Sequence, residues 1–191
     1  MLDSPNEDPR TAVRVRTARP DELGALSDLA ARSFRALGPP HYTAAQVELA
    51  LAGSPEHRRG PVIRVDPGLL EDGTYFVAEV DGALAGCGGW SARHPTVADS
   101  GLPSPRGEVR AMFVAPERAG RGVGGALLRA SEEAIARAGF DVAYLVATAS
   151  GRVFYERAGY EALGFREATL SAEVSLPLTL MRRVLPARIS L

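Results

Sequence analysis

Glu108-Val-Arg-Ala-Met-Phe-Val114, followed by Ala115-Pro-Glu-Arg-Ala-Gly120 and Arg121-Gly-Val-Gly-Gly-Ala-Leu-Leu128, decides how this chain is read. The apolar run over 109–114 has the composition of a strand. It leads through a glycine-rich turn straight onto an amphipathic helix over 122–138, with Val123, Ala126, Leu127, Ala130, Ala134 and Ile135 on one side and Gly139 at its end. N–H groups in the first turn of a helix have no intrahelical acceptor, so here they converge on one point. The helix dipole and Arg121 make that point attractive to an anion, and Gly120, Gly122, Gly124 and Gly125 carry no side chain to hold a phosphate off the backbone. A diphosphate suits such a cradle best.

Two other phosphate-binding patterns do not match. A P-loop requires Lys and then Ser or Thr after its glycines, whereas Gly125 is followed by Ala126 and Leu127. A dinucleotide fingerprint requires G-x-G-x-x-G inside a parallel βαβ unit. Here the spacing is G-x-G-x-G-G, and the strands before it form a hairpin.

Upstream, residues 1–12 read as a polar tail, and Val13 and Val15 alternate with Arg14 and Arg16 as in a half-buried strand. Pro20, Asp21 and Glu22 open a helix whose apolar face is Leu23, Leu26, Ala30, Phe34 and Leu37, and Gly38-Pro39-Pro40 stops it. Thr43 and Gln46 form a capping box for a short second helix that ends at Gly53. Residues 53–73 are a connection with one helical turn at Leu69-Leu70. Strands over 75–80 and 83–90 flank Asp81-Gly82, a dipeptide suited to a tight type I′ turn. The segment 92–107, with Pro95, Pro103 and Pro105, is a surface loop of the length that often covers a site. Downstream lie a strand at 142–147, a short helix at 151–158 ended by Gly159, strands at 160–167 and 176–184, and a tail at 187–191. The order β-α-α-β-β-β-α-β-α-β-β describes one mixed α/β (α+β) domain over 13–186: a largely antiparallel, twisted sheet of about seven strands with helices on both faces.

Composition narrows the functions available. The 191 residues are 46% hydrophobic and 24% charged with a formal net charge of -1, which fits one globular domain and offers no basic surface for nucleic acid. No apolar run approaches membrane-spanning length, and the first residues lack a signal-peptide layout, so a cytoplasmic protein with no membrane partner is expected. Cys87 is the only cysteine, and His41, His57 and His94 are scattered, so neither an intrachain disulfide nor a metal site is expected.

The central stretch resembles the GNAT acetyltransferase superfamily, whose signature is a strand, Arg/Gln-x-x-Gly-x-Gly/Ala and a helix that holds the diphosphate of acetyl-CoA. Gly122 and Gly124 take the two small positions. The first position falls on Ala119, with Arg118 beside it as a substitute cation. The later run Ala147-Thr-Ala-Ser-Gly-Arg-Val-Phe-Tyr155-Glu-Arg-Ala-Gly-Tyr160 is similar to the family's second motif, and the likeness covers roughly residues 13 to 185. It implies the donor acetyl-CoA, bound by backbone groups of Met112, Phe113 and Val114, by the turn from Arg118, Ala119 and Gly120 through Arg121, Gly122, Val123, Gly124 and Gly125, and by Thr148 and Ser150.

Acyl transfer from a thioester to an amine needs a neutral amine and a proton for the departing thiolate. By resemblance Glu108 is the expected base and Tyr155 the expected acid, the alternatives being an ordinary strand-start carboxylate and a buried structural tyrosine. Cys87 reads as a small core residue, while Trp90, Arg93, His94 and Arg106 are candidates for the rim of an acceptor site. The acceptor is expected to be a small-molecule amine, or else a protein or peptide amine, and the protein a monomer or homodimer. Two competing readings stay open. One is an acyltransferase using another acyl-CoA or a hydroxyl acceptor; the other is a non-catalytic acyl-CoA-binding module, to which Ala119 at the motif's first position lends support.

Overall fold

Residues 12–53, 60–93, 96 and 101–186 are described by a computed structural model. The expected tails therefore lie outside the described residues except for position 12, as do His57, His94 and much of the 92–107 loop. Seven strands form one sheet in the order β1-β2-β3-β4-β5-β7-β6: β1 (Arg14–Thr17), β2 (Tyr75–Val80), β3 (Ala83–Ser91), β4 (Gly107–Val114), β5 (Val142–Thr148), β6 (Glu161–Thr169) and β7 (Ser175–Val184). Only β4 and β5 run parallel; every other pairing is antiparallel.

The local signals act as their chemistry requires. Asp81 and Gly82 take φ of 53° and 74° in the β2–β3 turn, the left-handed pair that a type I′ hairpin demands. A 3-10 turn at Pro20–Glu22 leads into α1 (Leu23–Leu37). Helix α2 (Ala44–Ala52) is closed by the Thr43–Gln46 box, in which the Thr43 hydroxyl accepts from the Gln46 N–H at 3.2 Å and Gln46 Oε1 accepts from the Thr43 N–H at 2.9 Å. The single turn expected at Leu69-Leu70 is α3 (Pro67–Glu71), where Asp66 accepts from the Gly68 N–H. Helices α4 (Val123–Arg137) and α5 (Ala149–Arg157) complete the set, α5 beginning two residues earlier than its spacing predicts. Among the described residues, no helix is long and apolar enough to cross a membrane.

Alternation along the strands divides the apolar side chains between two faces. On one, Leu26 and Leu29 of α1 and Leu69 of α3 pack on Tyr75, Val77 and Cys87, and Val47 and Ala50 of α2 lie with Leu176 and Leu178 of β7. On the other, Val123 and Leu127 of α4 cover Ala78, Val80 and Ala85, while Tyr155 of α5 joins Leu128, Ile135, Ala143 and Leu145. β3 and β4 present glycine beneath α4, which leaves room for the side chains of its buried face. A Cβ on Gly86 would lie 2.8 Å from Val123 Cγ1, and one on Gly107 would collide with Ile135.

One irregularity positions the site. β4 and β5 pair only at Gly107↔Ala143 and Glu108↔Tyr144, after which β4 continues along β3 and β5 along β7. Ala111 has φ 49°, and the β3–β4 register shifts between Cys87 and Gly89 opposite it. A non-glycine residue held at positive φ next to a register slip bends the strand. The sheet therefore opens into a fork.

Candidate active site

At one end of the fork stands the glycine turn. Gly120 and Gly122 have φ of 75° and 83°, and the first backbone bond of α4 runs from the Ala126 N–H to the Gly122 carbonyl at 3.0 Å. The N–H groups of Val123, Gly124 and Gly125 therefore have no intrachain acceptor among the described residues. A Cβ on Gly124 would sit 3.4 Å from the Phe154 ring and 3.6 Å from Val114 Cγ2, in the narrow lane between α4, α5 and β4. Bare backbone keeps that lane open.

A cavity of about 540 Å³ extends from this turn into the fork. Val109 to Val114 of β4 line one wall, and Leu145, Val146 and Thr148 of β5 with Ser150, Gly151 and Tyr155 of α5 line another. Splayed strands leave part of their N–H and C=O groups without a strand partner, which suits an extended ligand carrying amides. The Ala111 carbonyl is an exception, since it accepts from the Tyr75 hydroxyl at 2.6 Å. Tyr75 is fully buried, and its oxygen also lies 3.3 Å from Cys87 Sγ.

Tyr155 reaches this wall from α5, held edge-on by Phe154 and Tyr160 at centroid distances of 5.0 and 5.7 Å. Its hydroxyl has no hydrogen-bond partner among the described residues, and burial pushes it above the ordinary tyrosine range, so it stays protonated at neutral pH. The start of α5 is pinned by Tyr42, whose hydroxyl accepts from the Ala149 N–H at 2.6 Å and donates to the Pro177 carbonyl at 3.0 Å.

Glu108 occupies a different environment. Its side chain is 2% exposed and does not line the cavity. One oxygen accepts from the Thr96 N–H at 2.7 Å, and the other pairs with the buried Arg106 guanidinium at 3.3 Å. Both oxygens are thus engaged, one by Thr96 and the other by Arg106.

The remaining residues singled out from sequence divide in the same way. Met112, Phe113, Val114, Ala119, Gly120, Gly122, Gly124, Gly125, Thr148 and Ser150 line the cavity, and the Thr148 and Ser150 hydroxyls are 3.1 Å apart. Arg118 points instead to Asp81 of the hairpin turn at 3.9 Å, Arg121 is exposed, and the Val123 side chain is buried under α4. Of the expected rim, Arg93 pairs with Asp72 at 3.2 Å, Arg106 with Glu108, and Trp90 packs edge-on to Phe140; none of the three lines the cavity. Cys87 is a core residue whose thiol burial pushes up to about 12, which leaves no thiolate for nucleophilic attack.

The far end of the cavity is built from residues the sequence did not single out as part of a site: Phe34 and Leu37 of α1, Val62, Ile63 and Arg64 of the connection, and Arg110 of β4. One signal for Arg110 was available. It stands two positions after Glu108 and so shares its face of the strand. Arg64 lies in an irregular segment that carries no such periodicity.

Residues 71–162 match a family model, the acetyltransferase (GNAT) domain. No curated protein matches the chain. Many solved structures share the fold. A GCN5-related N-acetyltransferase from Rhodopseudomonas palustris superposes with a TM-score of 0.69 at 19% identity, covering 90% of this chain and 95% of that one. The PaiA N-acetyltransferase from Thermoplasma acidophilum, in complex with coenzyme A, gives 0.61 at 14% identity over 91% and 99% of the two chains. A GNAT family acetyltransferase from Brucella melitensis, in complex with acetyl-CoA, gives 0.55 at 18% over 94% and 92%. The central strand, the glycine turn and α4 thus lie inside a stretch that matches the acetyltransferase (GNAT) domain model, and the sheet around them has the fold shared with these structures.

Proposed function

We propose that this acyltransferase moves the acetyl group of acetyl-CoA onto the nitrogen of an amine by direct attack. The observation that carries the reading is the continuity of one cavity from the unbonded N–H groups of Val123, Gly124 and Gly125, through the β4–β5 fork, to the protonated hydroxyl of Tyr155. The diphosphate takes the helix N-terminus, where dipole and N–H groups favour negative charge. The pantetheine arm lies in the fork, beside Met112, Phe113 and Val114, and exchanges amide hydrogen bonds with the strands. The GNAT relatives bound to coenzyme A or acetyl-CoA support this donor.

In the reaction the amine lone pair attacks the thioester carbonyl, and the tetrahedral intermediate collapses with loss of the CoA thiolate. Tyr155 is the proton donor to that sulfur. For Glu108 the geometry favours anchoring over direct proton abstraction, because its oxygens are committed to Thr96 and Arg106. The ammonium proton formed on attack leaves through water. Steady-state assay of CoA thiol release with acetyl-CoA and an amine panel tests the reading. The wild type turns over, and Tyr155→Phe lowers kcat by about tenfold or more at saturating donor while leaving CoA affinity within about twofold, the size expected for loss of a general acid. Undiminished kcat in Tyr155→Phe would remove that residue from the mechanism, and no acetylated amine across the panel would leave a binding module as the better description.

A further inference from the structure

The end of the cavity away from the glycine turn has an unusual charge. Among the described residues that line the whole cavity there is no aspartate, glutamate or histidine; its permanent charges are Arg64 and Arg110. Arg110 is 14% exposed at its side chain, and its Nη1 is buried with no hydrogen-bond partner. The nearest carboxylate, Glu108, approaches only Nε, at 4.0 Å, and both its oxygens are already engaged. Asp66 lies within electrostatic range of Arg110 but makes no ion pair with it, its Oδ1 accepting from the Gly68 N–H. Arg64, exposed and without an ion pair among the described residues, also lines the cavity and adds a like charge within electrostatic range of Arg110. Tyr75, the remaining group facing Arg110, is neutral and donates its proton to the Ala111 carbonyl.

Buried guanidinium N–H groups without an acceptor are costly, and two cations converging on one cavity repel each other. Both costs disappear if the cavity's occupant supplies an anion. A carboxylate matches the planar guanidinium fork, and it carries the single charge that one partly compensated arginine can balance. Phe34, Leu37 and Ile63 close the space around it, and the CoA arm must share the same 540 Å³, so the occupant is small.

Resting on the acyl-transfer reading above, the geometry points to an acceptor that is a small amine bearing a carboxylate, an amino acid or a close analogue, with Arg110 as the carboxylate's principal partner and Arg64 as the second. The same two cations aid the chemistry. Positive charge nearby disfavours the ammonium form of the acceptor, so the nitrogen enters as a neutral nucleophile without a carboxylate base in the wall.

The test is calorimetric binding to the CoA-loaded protein, which requires no turnover. Common L-amino acids are compared with the matched amines that lack the carboxylate, and with the matching aminophosphonates. At least one amino acid is expected to bind about tenfold or more tighter than its carboxylate-free partner. Arg110→Gln is expected to bring that ratio close to one, and Arg64→Ala, at an exposed position where folding is not at stake, to lower it partway. Equal binding of both members in the wild type, a preference for the bare amine, or a ratio untouched by both substitutions overturns the inference; tighter binding of the phosphonates overturns the choice of carboxylate. CoA affinity measured in each variant reports whether the donor site is intact. Loss of CoA binding in the wild type itself sinks the acyl-transfer reading and this inference together, whereas intact CoA binding with no carboxylate preference sinks this inference alone.

Discussion

Two buried charged residues meet at the start of β4, and their fate depends on each other. Arg106 and Glu108 are 5% and 2% exposed at their side chains and lie 3.3 Å apart. Charges taken this far from water persist only with a partner, and removing one strands the other. Glu108→Ala should therefore destabilise the fold by about 3 kcal/mol or more, measured by denaturant unfolding. A loss of turnover without a loss of stability would instead restore Glu108 as a base. The sequence placed Glu108 on β4 but left its role open, because a two-residue period says which face a side chain takes and nothing of the Thr96 N–H and the Arg106 guanidinium that engage it. Tyr155 was more legible: its aromatic neighbours Phe154 and Tyr160 are close in sequence, and the short α5 leaves its ring little choice but the fork.

At the scale of elements, helices and the hairpin were readable because their signals are local: the Thr43–Gln46 box, the Asp81-Gly82 turn and the glycines after α2 and α4. The fork was not. It arises from where β4 stops pairing with β5, and that depends on contacts between segments far apart in the chain, above all the Tyr75 hydroxyl on the Ala111 carbonyl across 36 positions. The same bond gives the bulge a mechanical support that can be removed. Tyr75→Phe leaves a part-buried carbonyl without its donor, at a cost of about 1 kcal/mol, and frees the strand beside the proposed pantetheine path. A lower melting temperature together with a raised KM for acetyl-CoA is expected; a shift in melting temperature with unchanged KM would limit Tyr75 to the core.

Across the whole molecule, several groups are held in forms the unfolded chain does not keep. Burial raises Tyr75, Tyr155 and Tyr160 above the ordinary tyrosine value near 10.0, and lifts Cys87 from 9.0 to about 12. The unfolded chain ionises first, so the stability these groups contribute is complete below about pH 9 and is lost as pH rises through 9 to 12 and beyond. At the acid end, Arg16 hydrogen-bonds Glu22 and lowers its carboxyl from 4.5 to about 2, so its contribution is present above 4.5 and fades toward pH 2. Thermal unfolding across pH should show a plateau between these limits. A melting temperature that is flat from pH 8 to 12 would contradict the buried state of the tyrosines and the thiol. Seven strands, their order of appearance and the helices on both faces followed from the sequence, whereas the far end of the cavity, with Arg64 and Arg110, did not. It is assembled from one end of α1, an irregular connection and one strand face that share no common pattern.

In the proposed function, coenzyme A sits with its diphosphate on the N-terminus of α4, in the lane that Gly124 leaves open. Titration calorimetry of CoA, and of pantetheine as the fragment without the diphosphate, into the wild type and Gly124→Val measures this directly. The wild type is expected to bind CoA far more tightly than pantetheine, and the valine, whose Cβ would enter the lane 3.4 Å from Phe154, to weaken CoA by about tenfold or more while pantetheine is much less affected. Equal affinity of wild type and variant for CoA, or no heat of binding at all, would contradict it.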